Sequence, residues 1–579
     1  MNAKKISLLL GIGILCSLAL SVRLWGINFG LPGLCNPDEN LFVEGALKVA
    51  SGNLEPATFR SGNLIFYVLA FVYGALYSLL KIFGIVKSSG DFLVTYYCVN
   101  PTVLFIVGRL TMAIISCLGI LLTYKLGSRI FNTRTGVIAA ILLIFSYVHV
   151  QQAHFIKEDM LASFFLLASF LSLTPLLTKD SRCPQARCYG WGGLFLGLAI
   201  AAKYTSFVGL AFLAAFHFLT DHQKNVSKRF FAKWFIVSLI CVGIGFFLGE
   251  PFALLQYKRF IRDFFNTASS PALGLDRGWQ PSWLFYITEH LKNGVGIFTE
   301  IAIGFGIMLA AKIDMRKTML LICFPACLLI VLNTYKPHAS YYMVPAIPFL
   351  LIFAGLFFDR IFLKIQNPGL RIGIFIAAIS IYVSTSVFDT VRLDYLLSRP
   401  DTRMLASAWI QQNIPHDSTI FVEGSYGAII AGGPPLESNI KALLREMSFV
   451  KQHGGQGLLW DAKINYAGKT PQIVRYDLYK GISLTKNDVT ENTTEYVIIS
   501  GYYNFASGYL LMSLEERRDT LELLTKHYAL IKTFVPYPNM DETPHLVLMD
   551  FNTLRTIDFF GKQRNNVLQG PTIEIYKRI

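Results

Sequence analysis

Long apolar runs, each broken by a short polar or charged loop, dominate the first two thirds of the chain. They fall near 6–28, 102–124, 136–153, 160–177, 190–220, 235–249, 294–311, 318–333, 342–358 and 371–388. Each is long enough to span a bilayer, and 190–220 is long enough for two helices, so the pattern predicts about eleven crossings. From about residue 400 the hydropathy drops, and no long apolar run follows. There the pattern predicts a soluble mixed α/β domain. "TRMLASAWIQQNI" (402–414) and "SLEERRDTLELLTKHY" (513–528) have helical spacing, while "STIFVEG", "EYVIIS", "HLVLMDF" and "TIEIYKR" read as short strands. The expected division is 1–395 for the membrane part and 396–579 for the soluble part.

The loops fix an orientation. With "MNAKK" in the cytoplasm as an uncleaved anchor, the loops at 124–134, 178–188, 221–233, 311–317 and 359–371 all become cytoplasmic, and every one carries several Lys or Arg. That regularity requires the apolar stretch 64–84 not to cross fully, so it is expected at the outer interface or as a re-entrant segment. The N-terminus is then cytoplasmic and the C-terminal domain lies on the outer face, with outer loops near 29–101 and 250–293.

Composition agrees: 53% of the 579 residues are hydrophobic, only 15% are charged and the mean hydropathy is +0.47, values that soluble domains rarely reach. The net charge of +15 is scattered through the short loops, which fits membrane topology rather than nucleic-acid binding. The nine cysteines are spaced for neither a disulfide framework nor a zinc site.

The candidate chemistry collects on one side. Asp38 and Glu39 in "NPDENLF", His154, Lys157, Glu158 and Asp159 in "HFIKED", Lys203 and Tyr204 in "AAKYTS", Glu250 in "GEPF", and Lys336 and His338 in "NTYKPHASYYM" all fall at outer mouths of helices. Ionisable groups are costly at membrane depth and usually face a protein interior or a wet cavity. Carboxylates supply a general base or a metal ligand, and Lys, Arg and His counter the charge of a phosphate. Together they suit transfer of a group from a phosphate-linked carrier. Bland readings stand beside each: Pro37, Asp38 and Glu39 suit the first turn of a helix, "KED" suits a helix start, Lys203 could snorkel, Glu250 could end a helix, and "YYMVPAIP" suits packing.

The stretches "NPDENLFVEGALKVASGNLEP", "VGRLTMAIISCLGILLTYKLGSRIFNTRTGVIAAILLIFSYVHVQQAHFIKEDMLASFF", "GLFLGLAIAAKYTSFV" and "KPHASYYMVPAIPFLLIFAG" resemble, in order and spacing, family 39 glycosyltransferases of the GT-C superfamily. That family includes protein O-mannosyltransferases and aminoarabinose lipid A transferases. The resemblance covers roughly residues 20–390. It implies a plasma-membrane enzyme that moves a sugar from a polyprenyl-phosphate donor to an acceptor hydroxyl on a lipid, glycan or protein, with inversion. It implies Asp38 as catalytic base with Glu39 sharing or supporting that task, and Asp159 as the second acidic position beside Glu158. His154 and Lys157 are then candidates for phosphate contact, Lys203 lies near the donor phosphate, and His338, Tyr341 and Tyr342 close the site. Arg60, at the end of the first loop, is a weaker candidate for a positive group. Metal use differs between relatives, so a divalent metal stays open. Two other functions fit the residues themselves: a flippase or transporter of lipid-linked sugars, and a membrane-anchored binding protein with structural acidic clusters. The last of these predicts that Asp38 and Asp159 lie apart or point to solvent.

Overall fold

The computed structural model describes residues 3–579 except 34–35, 57, 179–183, 221–231, 270–281, 335–338, 365–366, 368, 370–372, 374–375, 378–379, 381, 383–385, 427–428, 431, 453–457, 471–472, 482, 492–493, 501–513, 538–547, 551–554, 558–562 and 566. Apolar helices make one large core, and a sheet region follows at the C-terminus.

Among the described residues four helices are long and apolar enough to cross a membrane by themselves: Leu64–Ile82, Thr102–Ile130, Asp159–Leu177 and Met315–Asn333. Two bent pairs bring the number to six where each pair is one broken span rather than a re-entrant loop: Thr133–Ile144 with Tyr147–Ala153, bent by 63°, and Ser282–Val295 with Ile297–Ile313, bent by 115°. Leu10–Leu24, Tyr204–Thr220 and Lys233–Gly249 are apolar but shorter. The run at 190–220, expected as two helices, divides at Lys203, between the helix Gln185–Ala202 and the tight turn Tyr204–Gly209 that leads into Leu210–Thr220. Most of the run expected at 371–388 lies outside the described residues.

Leu64–Ile82, which the loop pattern placed at the outer interface or as a re-entrant segment, has the length of a span. Gly62, just before it, packs on Ala201 and Ala202 at the end of Gln185–Ala202. Tyr73, roughly 13 Å further along by helical rise, donates to Leu104 O (3.2 Å), only two residues into Thr102–Ile130. The same hydroxyl also packs against Gly108, one turn further along Thr102–Ile130. At the opposite end the basic loops meet: Arg129 reaches Thr174 (3.4 Å) and Asn132 donates to Asp359 (2.9 Å).

Small residues let neighbouring helices touch through their backbones. Along Gln185–Ala202 and Lys233–Gly249, Gly193 faces Ser238 O, Gly197 faces Val242 O and Gly245 faces Leu194 O, and a Cβ at any of the three would overlap those carbonyls.

The C-terminal sheet has five strands in the order Asp477–Gly481, Thr419–Glu423, Tyr496–Ser500, Ile573–Arg578, Tyr528–Phe534. The first three are parallel and the last two pair antiparallel. Ile420 and Val422 enter one apolar core while Phe421, between them, enters another. A sheet covered on both faces explains why its strands read as continuous apolar runs.

Gly197→Val should therefore lower the unfolding temperature in detergent, because the two backbones must separate at a cost of about 1–3 kcal/mol. An unchanged melting curve would mean that this contact is not tight.

Candidate functional site

The site begins with a helix start. Pro37–Ala50 opens with Pro37 in its first turn, and the Asn36 side chain accepts the Asp38 N–H (3.0 Å). Asn36 is thus the cap, which leaves Asp38 and Glu39 free for other partners. Adjacent positions on a helix point in different directions, and these two carboxylates part company.

Glu39 turns inward and is fully buried. It forms a two-pronged pair with Arg109 (2.8 and 2.7 Å) and accepts the Ile156 N–H (3.1 Å). Oε1 accepts two of these contacts and Oε2 one, so Glu39 ties the start of its helix to Arg109 and to the loop before Asp159. Asp38 stays half-exposed and pairs with the buried Lys157 (2.8 Å). The Lys157 charge holds the Asp38 carboxyl below its ordinary range against the opposing effect of burial.

Lys157 and Glu158 lie between Tyr147–Ala153 and Asp159–Leu173, and Asp159 opens the second of these helices. Lys203, at the break after Gln185–Ala202, makes a short contact with Asp159 and lies 3.9 Å from Glu158. Tyr341 and Tyr342 complete the cluster: the Lys157 ammonium lies 4.1 Å from the Tyr341 ring centre, and that of Lys203 lies 5.1 and 5.2 Å from the two rings. Burial works against both ammonium groups, but the surrounding carboxylates outweigh it and raise both lysines. Burial also raises Glu158, more than Lys203 lowers it. Glu158 Oε2 and Asp159 Oδ2 are buried and have no hydrogen-bond donor among the described residues.

Four of the predicted positions stand elsewhere. His154 is buried with its ring nitrogens on Val150 O (2.9 Å) and Trp25 O (3.0 Å), and burial lowers it to about 4. Burial outweighs the two carbonyls, which would favour the protonated ring, and with both nitrogens on backbone oxygens the side chain is committed to packing rather than turned toward the Lys157 cluster. Arg60 is exposed at the end of the first loop. Glu250 and Tyr204 form a neighbouring cluster: Glu250 accepts from Asn63 N (2.8 Å) and Asn63 Nδ2 (2.6 Å), and Tyr204 OH approaches at 3.4 Å. Lys336 and His338 lie outside the described residues.

Sequence reasoning missed Arg109, although an arginine inside the apolar run "VGRLTM" was a readable signal. Among the described residues no three His, Cys, Asp or Glu side chains converge as metal ligands.

With this geometry in view, residues 103–248 match the family model described as dolichyl-phosphate-mannose-protein mannosyltransferase. That segment carries Lys157, Glu158, Asp159 and Lys203. The structure is similar to that of ArnT from Cupriavidus metallidurans bound to undecaprenyl phosphate (TM-score 0.50, 15% identity, 92% of this chain and 97% of that one). It is also similar to the apo oligosaccharyltransferase of Archaeoglobus fulgidus (TM-score 0.50, 13% identity, 95% and 75%). No curated protein sequence matches the chain. The protein has the GT-C fold and is a multi-pass membrane protein.

Burial raises Glu250 from 4.5 to about 7. The folded state thus holds that proton more tightly than the unfolded chain does, so this group's contribution to stability is full below 4.5 and is lost as pH rises through about 7. Glu250→Gln should flatten that part of a melting-temperature profile; an unaltered slope would place the titration elsewhere.

Proposed function

We propose that the protein is an integral membrane glycosyltransferase that moves a sugar from a polyprenyl-phosphate donor to an acceptor hydroxyl, with inversion and with Asp38 as general base. One observation carries this reading: segments far apart in sequence bring Asp38, Lys157, Glu158, Asp159, Lys203, Tyr341 and Tyr342 to one end of an apolar bundle. A bilayer-embedded site of this kind is open to a carrier that arrives sideways through lipid, and the similarly folded ArnT is bound to undecaprenyl phosphate.

Asp38 accepts the hydroxyl proton as the acceptor oxygen bonds to the anomeric carbon, and the bond from that carbon to the phosphate oxygen breaks. Its lowered pKa keeps it ionised at neutral pH, and a proton that becomes acidic late in the displacement does not need a stronger base. The lipid phosphate is already a good leaving group, so the main tasks are positioning and charge neutralisation. Lys203 and Lys157 supply the charge. Glu158 and Asp159 hold Lys203 in place, and their undonated oxygens are placed to accept from sugar hydroxyls.

In this reading the site faces the outer side of the plasma membrane. The N-terminus is cytoplasmic, about eleven helices cross, and residues 396–579 form a periplasmic or extracellular domain that receives a lipid, glycan or protein acceptor. The binding-protein alternative needed Asp38 and Asp159 apart or turned to solvent; Asp159 is fully buried, and the half-exposed Asp38 is paired with Lys157, which also feels the Asp159 charge.

Asp38→Asn should abolish release of polyprenyl phosphate from labelled donors by protein in lipid, while donor binding persists. Lys203→Ala should instead weaken donor binding. Near-normal turnover in Asp38→Asn would remove Asp38 as the base.

A further inference from the structure

The Asp38 helix is held from two sides. On one side Glu39 and Arg109 fasten it to the bundle. On the other side the hold comes from the C-terminal region. Six positions after Asp38 on the same helix, the Glu44 carboxylate takes the Asn40 amide (2.8 Å) and makes a short hydrogen bond with the Tyr97 hydroxyl. Tyr97 is buried in the turn Val94–Val99. Against its ring lies Lys463 of the helix Leu458–Lys469, with its ammonium 5.2 Å from the Tyr97 ring centre and 4.9 Å from that of Trp460. A lysine between two aromatic rings is a cation–π clamp.

A second contact lies at the other end of the same stretch. Gly33, three residues before the cap Asn36, is so close to Met404 and Pro435 that a Cβ would overlap both. Residues from the C-terminal third therefore touch the approach to the Asp38 helix and, through Tyr97, its second turn.

We infer that Lys463 is a positioning residue for the base: through Tyr97 and Glu44, the C-terminal domain holds the helix Pro37–Ala50 at the angle that aims Asp38 into the site. This rests on the reading of Asp38 as the base. The contact acts on the orientation of the proton acceptor and touches neither lysine that counters the phosphate, so its loss should appear in kcat and leave the donor KM alone. It also makes the C-terminal domain part of the catalytic geometry as well as an acceptor platform.

The test uses the full chain in lipid with Lys463→Met, which keeps the apolar stem, Lys463→Arg, which keeps the cation, and Tyr97→Phe, which keeps the ring but removes the hydroxyl. Lys463→Met should lower kcat about three- to tenfold, as loss of one partly desolvated cation–π contact would, with the donor KM unchanged, and Lys463→Arg should restore most of it. Backbone amides of Pro37–Ala50 should exchange hydrogen faster in both Lys463→Met and Tyr97→Phe. Wild-type exchange at Pro37–Ala50 in both variants would overturn the inference, as would a rise in KM at constant kcat. If the wild type shows no Asp38-dependent turnover, the transferase reading fails, and the exchange measurement still decides whether the clamp holds the helix.

Discussion

Everything at the candidate site hangs on one buried ion pair. Arg109 stands inside an apolar helix, where an uncompensated guanidinium would be very costly, and the structure uses its donors closely. Two go to Glu39, two contacts run to Ile27 O (2.7 Å) and Phe29 O (2.9 Å), and the Phe29 ring lies flat against it with the centre 3.6 Å away. One side chain therefore ties the turns that follow the first helix to the start of the next. With Glu39 committed inward, helical geometry leaves its neighbour Asp38 facing Lys157.

The same economy explains the cluster. Two lysines and two acids, with the half-exposed Asp38 at their edge, could not be buried side by side without their mutual pairing, and the aromatic faces of Tyr341 and Tyr342 add favourable contact without bringing a competing charge. Pairing also makes the site stiff, because each long side chain is held between partners from different segments. Such preorganisation lets a site stabilise developing charge without reorganising at the moment of reaction.

Much of this was legible in the sequence, for a physical reason. Charged residues at the mouths of apolar helices are expensive, so their recurrence in "PDE", "KED" and "AAKYTS" marked the positions that the fold brings together. What the sequence did not reveal was direction. Whether Asp38 or Glu39 faces inward depends on Arg109, 70 residues away in the chain, and His154 reads as a site histidine until its two carbonyl neighbours are seen. In the C-terminal region the strands Thr419–Glu423, Tyr496–Ser500 and Ile573–Arg578 stood out by their apolar runs. The strand Asp477–Gly481 did not, because its sequence "DLYKG" mixes charge with apolar residues. Likewise the helix that carries Lys463 has too even a polarity to advertise itself.

The helix Leu64–Ile82 follows closely on the Asp38 helix and presents Phe71 and Ile82 almost fully outward, each more than three quarters exposed. Outward apolar side chains on a helix of spanning length are covered by lipid tails rather than by protein. The packing of the helix next to the site therefore depends on the hydrocarbon around it, so the choice of lipid or detergent reaches the site through this neighbour.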